Sequence, residues 1–164
     1  MENIRICSGV IIYRYLPECG EFAVLLVKTR NFRNKTGEYL YTIVGGRIEP
    51  KDYGDTREER AWNCAVRESK EEVSLGIRNP VYVRMSVAFG REIAYKDPNT
   101  IFEFYTFTAE AVGQLDDLEI ILKNDEITYA GYHRQHELDT LPMEPRLRQL
   151  INTVYKNPKK YFQK

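Results

Sequence analysis

Apolar positions come in blocks along this chain, and the blocks differ in period. Residues 4–15 and 22–28 are dense in Ile, Val, Leu and Tyr and read as two strands. The stretch L-P-E-C-G between them is turn material, so the pair predicts a hairpin. Residues 30–38, R-N-F-R-N-K-T-G-E, are polar and predict a loop. Residues 39–44 form a short third strand that Gly45-Gly46 should stop.

The period then changes. After an irregular stretch at 47–55, Thr56-Arg57-Glu58-Glu59 has the form of a capping box. There the Thr56 side chain accepts from the Glu59 amide and the Glu59 carboxylate returns to the Thr56 amide. From that point to about residue 73, Trp62, Ala65, Val66, Ser69 and Val73 recur at helical spacing and predict one buried stripe. Residues 75–77 close the helix. Residues 81–89 and 101–108 read as strands joined by a long connection, with 120–122 and 127–133 as two shorter ones. Residues 145–155 predict a second helix, with Leu147, Leu150, Ile151 and Val154 on one side. Strands, helix, strands, helix is the order of an α+β fold, a mixed sheet covered by helices.

Composition narrows the setting. The 164 residues suit one domain spanning 1–164, with a proper core. Lys plus Arg and Asp plus Glu number 24 each, so net charge predicts no nucleic-acid or acidic-membrane partner. Cys7, Cys19 and Cys64 are an odd, unclustered set, which argues against a disulfide framework or a zinc ribbon and for a reducing, cytoplasmic setting. No apolar run is long enough to span a membrane, and the N-terminus has no signal-peptide core.

The stretch R-E-S-K-E-E-V, residues 67–73, changes the picture. On a helix Glu68, Glu71 and Glu72 share about 100° of arc, and Glu68 and Glu72 repel at i,i+4. A solvated acidic face explains this, since glutamate is a common helix former. So does a site for a hard cation such as Mg²⁺ or Mn²⁺, which takes oxygen ligands and removes the repulsion. The helix alone does not decide between them.

The surroundings do more. G-G-R-I-E precedes the helix, and Glu59 is followed after seven residues by Arg67-Glu68-x-x-Glu71-Glu72. This resembles the signature of the Nudix hydrolase family, G-x5-E-x7-R-E-U-x-E-E-x-G-U, with U a bulky aliphatic residue. The openings C-S-G-V-I-I-Y-R and F-A-V-L-L-V-K, and the later D-E-I-T-Y-A-G-Y-H-R-Q-H-E-L, extend the resemblance over residues 5–150. Three departures stand out: twelve residues separate Gly46 from Glu59, read as a seven-residue insertion at 50–56; Ser69 replaces an aliphatic; and Ser74 replaces glycine.

The resemblance implies a Nudix-type α/β/α sandwich and Mg²⁺- or Mn²⁺-dependent hydrolysis of a phosphoanhydride bond in a nucleoside diphosphate linked to another moiety. It implies Glu71 and Glu72 as the foremost metal ligands, with the Gly45 carbonyl, and Glu68 as a ligand or the group that helps deprotonate water. Arg67, Glu59 and Gly46 would be supporting groups. An acid outside the box would be Glu126, or Asp125 beside it, unless both are plain loop residues. The basic stretch K-T-R-N-F-R-N-K, 28–35, could grip a phosphate or form a solvated hairpin end. The tail K-N-P-K-K-Y-F-Q-K reads as a solvated terminus. His133 and His136 lack further ligands for zinc. The partner expected is a nucleotide-type small molecule, and a homodimer is open. The alternative is a catalytically idle Nudix scaffold that binds a nucleotide and acts as a regulatory or interaction module.

Overall fold

The computed structural model describes residues 3–93, 96–112 and 126–163. Its strands are β1 (Asn3–Leu16), β2 (Glu21–Arg33), β3 (Tyr39–Thr42), β4 (Val44–Arg47), β5 (Gly76–Phe89), β6 (Thr100–Val112) and β7 (Ile127–Arg134). Its helices are α1 (Arg57–Val73), α2 (Gln135–Leu138), α3 (Pro145–Lys156) and α4 (Pro158–Tyr161). The strand expected at 120–122, and Asp125, lie outside the described residues.

All seven strands join one mixed sheet, with β1 and β6 parallel and the other pairings antiparallel. β1 and β2 are zipped only at their hairpin end, where Tyr13 pairs with Val24 and Leu16 with Glu21. Beyond that they part. β4 pairs with the early half of β1, from Cys7 to Val10, and β3 with the later half of β2. The glycine pair therefore lies inside strand β4, facing Ser8 and Gly9, and does not stop a strand as its composition suggested.

Because side chains alternate across a strand, the runs V-I-I-Y in β1 and V-L-L-V in β2 feed two cores at once. Val10, Ile12, Leu25 and Val27 pack beneath α1 with Val44, Ala61, Ala65 and Val73. Ile11, Tyr13, Val24 and Leu26 pack on the other face with Leu150, Ile151 and Val154 of α3. Helices thus cover both faces, as an α/β/α sandwich requires. No helix among the described residues is long and apolar enough to cross a membrane.

Several boundaries moved. β2 runs on to Arg33, through residues expected to form a loop, because β3 supplies Tyr39 as the partner of Arg33; the ladder to β7 ends at Thr29. β5 begins at Gly76 and carries Pro80, which an edge strand tolerates. The expected solvated tail is instead docked. Tyr161 and Phe162 are buried, and the Tyr161 carbonyl accepts from the Thr108 hydroxyl at 2.9 Å. Phe162 stacks on Phe22 with centroids 4.8 Å apart, so two aromatics anchor the segment while Lys159 and Lys160 stay exposed.

Candidate metal centre

The buried residues of α1 are Ala61, Cys64, Ala65, Ser69 and Val73. The expected stripe is therefore rotated: Trp62 and Val66 are only half-buried, and Trp62 packs edge-on against Phe107. Small Ala61, Cys64 and Ala65 let the helix lie close to β4, where Trp62 would hold it off. The rotation sets the i,i+4 row Cys64, Glu68, Glu72 along β4.

That row meets the strand residue by residue. The Cys64 thiol donates to the Arg47 carbonyl at 3.3 Å. Glu68 lies over Gly46 so closely that a Cβ there would come within 2.3 Å of Glu68 Oε1. Glu72 receives a backbone hydrogen bond from Gly45. A Cβ on Gly45 would fall 2.2 Å from the Ser8 carbonyl oxygen, so this glycine is needed for the β1–β4 approach itself. Glycine serves here by its lack of a side chain; neither residue has a positive φ.

Two carboxyls in that position cannot both ionise easily. Burial raises the Glu72 pKa from its ordinary 4.5 to about 8, and Glu68 and Glu126 add repulsion. Burial raises Glu68 as well, against the pull of Arg67. The two are hydrogen-bonded to each other. Glu126 thus lies within electrostatic reach of Glu72, held through its carbonyl, which accepts from the Arg30 N–H at 2.9 Å.

Arg67 is the hub on the other side. Nε and Nη2 donate to Asp52 Oδ1 and Oδ2 at 2.9 and 3.0 Å. Nη2 also reaches the Arg47 carbonyl at 3.1 Å. Nη1 donates to Glu68 Oε1 at 3.0 Å and to Glu71 Oε2 at 3.1 Å. Glu71 is exposed and also 3.7 Å from the Lys51 ammonium. Among the described residues no three His, Cys, Asp or Glu side chains already converge as a ligand set.

Glu59 stands apart from this network. The Thr56 hydroxyl accepts from the Glu59 N–H at 3.1 Å, as the capping box requires. The Glu59 carboxylate, however, accepts from the Asp55 N–H at 2.7 Å and not from the Thr56 amide. In the basic stretch at 28–35, Lys28 and Arg33 rest on neighbouring aromatic rings: the Lys28 ammonium is 4.3 Å from the Tyr41 ring centre and Arg33 covers the Tyr39 ring.

The donor set suits a hard divalent cation. It offers oxygen only, from Glu68 and Glu72, with Glu71 and Glu126 close by; the Glu68–Glu72 repulsion is what a cation would relieve. Asp52 was not singled out from the sequence. The signal for it was weak: an acid inside an insertion, fifteen positions before the arginine it serves.

Comparison with known proteins agrees with this geometry. The profile of the NUDIX domain matches residues 6–154. The chain belongs to the NUDIX family. No curated protein matches it. The NUDIX domain of Shewanella oneidensis NrtR, solved in complex with ADP ribose, superposes with a TM-score of 0.71 at 13% identity, over 96% of this chain and 90% of that one. A NUDIX hydrolase from Alicyclobacillus acidocaldarius gives 0.69 at 14% identity, over 94% and 92%. One from Nitrosomonas europaea gives 0.66 at 17%, over 97% and 93%. At such identities the likeness is one of NUDIX fold.

Proposed function

We propose that this NUDIX domain is a divalent-cation-dependent hydrolase. Its substrate is a nucleoside diphosphate linked to another moiety, and it cleaves the phosphoanhydride bond. The observation that supports this most directly is the half-buried Glu68–Glu72 pair laid along Gly45 and Gly46. A surface helix with idle glutamates has no reason to press two of them, half-buried, against glycine backbone.

Glu68, Glu72 and the Gly45 backbone would hold Mg²⁺ or Mn²⁺, with Glu71 joining by exchanging its long contact with Lys51. The cation supplies positive charge against the pyrophosphate oxygens and a lower pKa for the attacking water. Glu126 or Glu68 would accept the proton of the attacking water. Arg67 holds the carboxylates in place. Positioning and charge carry most of the catalysis in phosphate transfer, so the chain's task is chiefly geometric.

The test is a phosphate-release screen in Mg²⁺ and in EDTA. The panel holds nucleoside triphosphates, ADP-ribose, nucleotide sugars and dinucleoside polyphosphates, with phosphatase added to develop each product. Turnover of one class that EDTA abolishes is the expected result. A second reading, an idle scaffold that binds a nucleotide, draws on the engagement of Glu71 by Arg67 and Lys51. Nucleotide binding without turnover of any substrate, with Mn²⁺ present, would establish it instead.

A further inference from the structure

The insertion at 50–56 departs from the family spacing, yet one of its residues is among the most buried polar groups of the protein. Asp52 is 4% exposed. Its carboxylate takes Arg67 in a two-pronged contact, Nε to Oδ1 and Nη2 to Oδ2, and accepts the Glu49 N–H at 2.8 Å. Its own N–H donates to the Glu49 carbonyl at 2.9 Å. Burial pushes the Asp52 carboxyl up, but the Arg67 hydrogen bonds and charge, with the Glu49 amide, hold it below its ordinary value. Asp52 is therefore an anion at neutral pH.

Arg67 has five N–H groups, and the contacts of its three nitrogens engage all of them. A two-pronged contact fixes the plane of a guanidinium as well as its position. With that edge locked on Asp52, the Nη1 edge can point in only one direction, at Glu68 and Glu71. Each of those carboxylates gives Arg67 a single oxygen, Glu68 Oε1 and Glu71 Oε2; the other Glu71 oxygen lies 3.7 Å from the Lys51 ammonium. The negative charge of Asp52 also balances Arg67, which then competes less with a cation for the glutamates.

We propose that Asp52 is a positioning residue of the metal centre: it acts through Arg67 to aim Glu68 and Glu71, so the insertion supplies a support that Glu59, turned toward Asp55, does not. This rests on the metal-dependent reading above, and the test separates the two.

Mn²⁺ binding is measured by calorimetry for the wild type, Asp52→Asn, Asp52→Ala, Asp52→Glu, Arg67→Gln and the Asp52→Asn/Arg67→Gln pair. Far-UV circular dichroism and a thermal melt check each for folding. If the wild type binds no Mn²⁺, the parent reading fails. If it binds, Asp52→Asn should weaken binding by about tenfold, the effect of losing a group that orients a metal ligand. The double variant should bind no worse than Arg67→Gln alone, and Asp52→Glu should recover part of the loss. Where a substrate is known, kcat should fall with KM little changed. Mn²⁺ affinity within twofold of wild type in folded Asp52→Asn, or additive losses in the double variant, would overturn the proposal. If Asp52→Ala fails to fold, the near-isosteric Asp52→Asn still decides the matter.

Discussion

Glu72 combines burial with two acidic neighbours, and its raised pKa has a sign that can be checked. The folded protein holds a proton on Glu72 that the unfolded chain releases near 4.5. Between that value and about 8 the native state binds more protons, so its stability falls as pH rises through this window. Urea melts in EDTA should give a lower midpoint at pH 8.5 than at pH 6. Glu72→Gln should flatten the difference, and a Glu72→Gln curve parallel to wild type would count against this account. Ser69 offers a second check. It is fully buried, and its hydroxyl donates to the Leu75 carbonyl at 2.8 Å, while its carbonyl accepts the Leu75 N–H. That bracing holds the turn in which Ser74 adopts φ 59°, the left-handed conformation that favours glycine. Ser69→Leu, which restores the family's aliphatic residue, should cost about 1–3 kcal/mol through overpacking, read as a lower urea midpoint. At this scale the sequence was legible where period and charge coincide, as at Glu68 and Glu72. It was not legible at Asp52, whose partner lies beyond any helical or strand period.

Helix α1 and strand β4 are best understood as a pair, since neither makes the site alone. The two glycines of β4 should respond differently to a methyl group. In Gly46→Ala the new Cβ meets the end of the Glu68 side chain, which can swing away. The expected outcome is weaker Mn²⁺ binding in calorimetry with a small change in thermal midpoint. In Gly45→Ala the Cβ meets the Ser8 carbonyl, which cannot move without parting β1 from β4. There the thermal midpoint itself should drop sharply. Equal effects in the two variants would contradict the division of labour. Element types were readable from period: α1 and α3 were foreseen, and so were the cores of β1, β2, β6 and β7. Element ends were not. β2 continues to Arg33 because β3 turns back along it and sets Tyr39 opposite Arg33, and a single strand's composition holds no record of its neighbours' lengths.

At the scale of the whole molecule, the end of the described chain acts as a clasp over the face opposite α1. Phe162 contacts Tyr13, Phe22 and Tyr155, and the Gln163 N–H donates to the Tyr13 hydroxyl at 2.8 Å. Phe162→Ala should cost about 3 kcal/mol, as truncation of a buried aromatic does, and a loss under 1 kcal/mol in chemical melts would show the clasp to be superficial. Lysines outnumber aromatics there, so the local composition concealed this docking.

The parallel ladder between β1 and β6 sets the order in which the protein can be built. Asn3 pairs with Thr100 and Tyr13 with Glu110, across about a hundred residues of intervening chain. The same β1 backbone that receives β6 on one edge receives β4, with its glycines, on the other. Closing so large a loop is slow, because chain entropy is lost before the pairing returns any free energy. The β1–β2 hairpin and α1 are local and can form early, but the floor under Glu68 and Glu72 stiffens only when β1 is gripped from both sides. In a refolding experiment, helical signal should return well before the capacity to bind Mn²⁺, and the lag between them would time the arrival of β6.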